Sequence, residues 1–124
     1  MLRTIAAFLG FACLLLADAP LQAAPKDAEA KRVISKTMDE YAEDTNADKA
    51  EQALMETIGN CGSSDCDPKF VALAWMYIGL VRGAANDFDT ARESFTVAVG
   101  FDPKVKLDPR FASPTLQALF DGVK

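Results

Sequence analysis

The stretch DPKFVALAWMYIGLVRGAANDFDTARESFTVAVGFDP, residues 67–103, decides the fold. Asp67 can cap a helix whose first turn holds Pro68, where a missing N–H costs nothing. From Phe70 to about Arg82 that helix is apolar on almost every face. It is too short to cross a bilayer, so it belongs at the buried centre of a domain. Gly83 to Asp87 turns the chain, and Phe88 to Val99 forms another helix that Gly100 should end.

Outward from this stretch the chain resembles itself at a shift of 41 residues. Asp67-Pro68-Lys69-Phe70 falls on Asp108-Pro109-Arg110-Phe111. The same shift aligns Ile34 with Trp75 and Leu116, Ala50 with Ala91, Leu54 with Phe95, and Ile58 with Val99. A fixed period of this length marks a repeat architecture. Units of about 27–66, 67–107 and 108–124 follow, the last one incomplete. In the first unit Val33, Ile34, Thr37, Met38 and Tyr41 recur at spacings of three and four, an amphipathic stripe. A second helix is expected from Thr45, with Asp48 at capping-box spacing. It would carry Ala50, Ala53, Leu54, Thr57 and Ile58 and end at Gly59. Ser113-Pro114 opens a fifth helix striped by Leu116, Leu119, Phe120 and Val123. No stretch alternates at period two, so the expected class is all-α.

Among the 124 residues, 13 Lys plus Arg face 18 Asp plus Glu, a net charge of −5. An acidic chain lacks the cationic face that nucleic acid or an anionic membrane requires. Histidine is absent. That excludes Ser-His-Asp and Cys-His nucleophiles and His-bearing zinc sites. No cofactor or metal is implied.

Residues 1–23 read as a secretory signal peptide: Arg3, then the uncharged apolar run Ile5–Ala17, then small residues, with cleavage before Ala24. As a helix that run rises only about 20 Å, short of the ~30 Å hydrocarbon core. The expectation is therefore export from a bacterial cell, to periplasm or beyond, without stable membrane insertion. Export leaves residues 24–124 as one domain with two cysteines, Cys61 and Cys66. In an oxidising compartment a structural disulfide is the leading reading for this pair. Thiol–disulfide exchange is the enzymatic alternative, although four residues stand between the cysteines rather than two.

Trp75, Ile78, Gly79, Ala91, Phe95, Ala98 and Pro103 stand at the spacings of a known signature, and this region resembles the tetratricopeptide repeat family. Arg82 departs from it, standing where tyrosine is usual. The first unit matches more loosely, through Ile34, Thr37, Met38, Tyr41, Ala50, Leu54 and Thr57. Met38 holds the glycine slot, and the cysteine loop replaces the closing proline. The resemblance implies a short α-solenoid of two helix hairpins plus a C-terminal capping helix. It also implies a groove that binds a peptide or protein surface. Carried over position by position, that groove comprises Arg32, Ser35, Asp39 and Ala42 in one unit and Leu73, Met76, Leu80 and Gly83 in the next. Such a surface suits an apolar side chain with a basic neighbour near Asp39. The fifth helix could instead cover the apolar half. The expected function is a non-enzymatic interaction module binding a protein of the envelope, or a second copy of itself. A carboxylate hydrolase would need two acids converging in a cleft, whereas these acids fall on outward helix faces.

Overall fold

The computed structural model of the chain describes residues 24–124, and the expected leader, residues 1–23, lies outside the described residues. Five helices run in order: α1 Asp27–Asp44, α2 Ala47–Cys61, α3 Pro68–Ala84, α4 Phe88–Phe101 and α5 Pro114–Gly122. Among the described residues there is no strand, and no helix is long and apolar enough to cross a membrane.

Four of the five helices start at a capping side chain, α1 being the exception. The Asp67 carboxylate accepts from the N–H of Lys69 at 3.0 Å with Pro68 in the first turn, so α3 opens as its sequence requires. Ser113 and Pro114 open α5 in the same manner, Ser113 Oγ accepting from the N–H of Leu116. The start of α2 differs from expectation. Asn46 is its cap, accepting from the N–H of Lys49 at 3.1 Å. Thr45 instead closes α1 in a left-handed conformation, φ 51°, its N–H donating to the Tyr41 carbonyl. Two helix ends are also later than expected, because Gly59 and Gly100 both lie inside their helices. Gly62, at φ 57°, makes the turn after α2, and extended Asp102 stops α4.

Packing centres on α3, which lies against α4 most extensively and against α2 and α1 on its other side. Its residues Ala72, Ala74 and Ile78 are wholly inaccessible, as are Ala91, Phe95 and Ala98 of α4. Gly79 is where the Phe95 side chain of α4 seats against α3. A Cβ there would lie 2.5 Å from Phe95 Cδ1, so only glycine leaves the ring its seat. Phe95 in turn meets Phe120 of α5 edge-on at 5.4 Å. One turn along α3, Gly83 faces the Leu116 side chain. Two α3 glycines therefore receive one large side chain from α4 and one from α5. Leu116 and Ile34 are fully buried, whereas their period-mate Trp75 is half-buried between the main core and a smaller cluster.

That smaller cluster comprises Ala30, Val71, Cys61 and Cys66, and the two cysteines form a disulfide. Its loop is pinned to the start of α1: the Asp27 carboxylate accepts from the Asp67 N–H at 2.7 Å, and Lys26 Nζ donates to the Asn60 carbonyl at 2.9 Å. Closing so short a loop stabilises the fold by about 2 kcal/mol in the chain-entropy picture. The Cys61→Ala/Cys66→Ala variant should lose about that much in urea titration. A loss near zero would mean that the pinning contacts alone order the loop.

A candidate interaction surface across the first and third helices

The sequence places Arg32, Ser35, Asp39 and Ala42 on one side of α1, and all four are exposed there. The other half of the expected groove is different. Met76 and Leu80 are each 1% exposed, Gly83 is buried beneath Leu116, and Leu73 is half-buried against the core. These α3 residues are core rather than groove floor, a correction with a clear cause. The chain itself covers this side of α3, through α5 at Gly83 and through the segment between α4 and α5 at Tyr77.

That segment, residues 102–113, contains no helix and lies between α1 and α3. Val105 and Leu107 anchor it in the core. Asp102 and Asp108 each accept from the N–H two residues on, at 3.0 and 2.9 Å, as Asp67 does. The three Asp-Pro-basic sequences thus make one kind of turn, but only Asp67 launches a helix directly. After Asp108 a single turn forms, the N–H groups of Phe111 and Ala112 both donating to its carbonyl.

A polar chain crosses this surface. Tyr77 Oη donates to Asp108 Oδ2 at 2.7 Å, Arg110 Nη2 lies 3.3 Å from the same oxygen, and Arg110 Nη1 reaches Asp39 Oδ1 at 3.1 Å. Phe111 sits between two tyrosines, its ring 5.8 Å from Tyr41 and 6.2 Å from Tyr77. Burial of Asp108 alone would raise its pKa. The hydrogen bonds from Tyr77 and Arg110 outweigh burial and hold the carboxyl below its usual value. Arg110 is raised by its bonds to Asp39 and Asp108.

Burial, and then the Asp108 carboxylate, push Tyr77 up to about 12. The folded state therefore holds the phenol proton more tightly than the unfolded chain, whose tyrosine titrates near 10. This contribution to stability is intact below pH 10 and drains away between pH 10 and about 12. Across that window the urea midpoint should fall less steeply for Tyr77→Phe than for the parent chain. Identical slopes would show that the phenol does not carry the effect.

Arg82, out of place in the repeat signature, has its own task. From α3 it bonds Glu51 of α2 through Nε at 2.6 Å and the buried Ser94 of α4 through Nη1 at 2.9 Å. It ties three helices where a tyrosine would only fill space.

At the opposite edge a hollow of about 150 Å³ between α1 and α2 is lined by Glu29, Val33, Ala53, Glu56 and the cysteine pair, among others. Cys61 is 2% and Cys66 7% exposed, so the disulfide lines the hollow with little of it open to solvent. Among the described residues no three Cys, Asp or Glu side chains converge as metal ligands would.

Comparison with protein-family models, curated proteins and solved structures yields no match.

Proposed function

We propose that this chain is a protein–protein interaction module of the bacterial cell envelope. In this reading it is exported by its leader, works in the periplasm or outside the cell, and performs no chemistry of its own. Its scaffold is a short α-solenoid similar to tetratricopeptide repeats, two helix hairpins closed by α5. One observation carries the reading. The helix α5 sits on the α3–α4 pair through Leu116 and Phe120, and α3 in turn packs against both members of the α1–α2 pair. A unit that buries its open face only by receiving the next one is the physical basis of a repeat array. Of the signature residues, Ile78, Gly79, Ala91, Phe95 and Ala98 are buried, Trp75 is half-buried and Pro103 is exposed. On the outside, the α1 face with Arg32, Ser35 and Asp39 is left for a partner.

Export is supported by residues 1–23 and by a disulfide of the kind that persists in oxidising compartments. The exchange alternative is weakened by the same disulfide, because attack needs an accessible sulfur and both cysteines are buried.

The test is affinity capture with the mature chain, residues 24–124, from its own envelope extract. Asp39→Arg would be run beside it, with Glu93→Arg on the exposed side of α4 as control. The proposal expects a discrete protein retained by the parent and the Glu93 variant and lost with the Asp39 variant. Equal retention by all three, or by none, would contradict it. Sedimentation of the purified chain separates capture of a second copy from capture of a different protein.

A further inference from the structure

The interaction reading leaves open what the α1 surface recognises, and the chain carries an answer in itself. A surface around Asp39 suits an apolar side chain with a basic neighbour, and Arg110-Phe111 supplies that pair from within. The Arg110 guanidinium caps the Phe111 ring at 4.9 Å while its Nη1 bonds Asp39. The ring itself lies between Tyr41 and Tyr77. We propose that Asp39, Tyr41 and Tyr77 form a receptor for a cationic side chain adjacent to an aromatic one in a partner polypeptide. Arg110-Phe111 is then its internal occupant, displaced when the partner arrives. This rests on the interaction-module reading and narrows it to one chemistry.

Three features make the occupant exchangeable rather than simply structural. The Arg110–Asp39 ion pair is solvated, the two side chains being 52% and 70% exposed, and such pairs contribute little to stability. Phe111 is half-buried, unlike the fully buried Phe95 and Phe120. The anchors Val105 and Leu107 sit upstream of the pair and α5 begins after it, so the tip can lift while both ends stay fastened. The three receptor residues come from helices α1 and α3, outside the segment that carries the pair.

The probe is a fluorescein-labelled peptide of residues 106–113, titrated against the mature chain by fluorescence anisotropy. The tethered pair competes at an effective concentration near millimolar, so the parent should bind the peptide weakly. Arg110→Ala/Phe111→Ala should bind it at least tenfold more tightly, and adding Asp39→Asn should take that gain away. The same peptide with alanine at both central positions should not bind. Circular dichroism establishes that each variant is folded. Should loss of Phe111 unfold the chain, Arg110→Ala alone removes only an exposed side chain and is expected to shift affinity in the same direction. Equal affinity for the parent and the emptied variant, or indifference to Asp39→Asn, overturns the proposal. If that happens while envelope capture still depends on Asp39, the module stands without an internal occupant. Peptide binding as expected with capture indifferent to Asp39 would overturn the module reading alone.

Discussion

Replacing Gly79 with leucine is expected to destabilise the domain of residues 24–124 by ~1–3 kcal/mol or more. The reason lies in the seat of one ring. A single added methyl at Gly79 already collides with the Phe95 ring. That ring cannot retreat, because Phe95 is inaccessible and stands edge-on to Phe120. Either α3 and α4 must separate along their whole contact, or Phe95 must leave a good rotamer and disturb α5. Gly79→Ala should show a smaller loss of the same origin, although alanine is the better helix former. Pairing Gly79→Ala with Phe95→Leu should restore part of the loss, since the smaller side chain can yield. Urea titration followed by circular dichroism reads all three. An unchanged midpoint for Gly79→Leu would show that the helices do not meet there.

Phe95→Ala is expected to cost more, about 3–5 kcal/mol, the range for emptying a fully buried aromatic site. Three elements lose contact at once: Gly79 loses its cover, Phe120 its edge-on partner, and α4 the side chain that fills the space between its buried Ala91 and Ala98. A domain this size has a total stability of about 5–15 kcal/mol, so the variant stands at the margin of folding. The control is Phe101→Ala on the same helix. Phe101 is 47% exposed, and its truncation should leave the midpoint nearly unmoved. A small loss at Phe95 with a large one at Phe101 would reverse the inside and outside of α4.

How far the sequence reaches is visible in particular residues. Asp67-Pro68 and Ser113-Pro114 place two helix starts to the residue, because a capping side chain and a proline act locally. Between Thr45 and Asn46 local chemistry allows either cap, and the left-handed turn at Thr45 settles it by satisfying the Tyr41 carbonyl. Gly59 and Gly100 looked like stops, but a glycine ends a helix only where the backbone needs its freedom. Gly62 is where α2 has that need. The apolar half of the expected groove was harder to judge. A helix apolar on every face does not declare which side meets the rest of the protein, so the burial of Met76 and Leu80 is decided by tertiary packing rather than by local sequence. Phe111 packs against the core that contains them, and Arg110 beside it reaches Asp39 across 71 residues of sequence. The repeated Asp-Pro motif pointed at that segment. Nothing local tells that the copy at Asp108 makes one turn and a strap rather than a helix.

The claim on which the rest depends is that α3 seats α4 and α5 through Gly79 and Gly83, one turn apart. Solution NMR of residues 24–124 is the sharpest test. Nuclear Overhauser contacts are expected from the Gly79 α-protons to the Phe95 ring, with ring-current displacement of those protons, and from the Gly83 α-protons to the Leu116 methyls. Gly79 α-protons at ordinary shifts with no contact to Phe95 would contradict it.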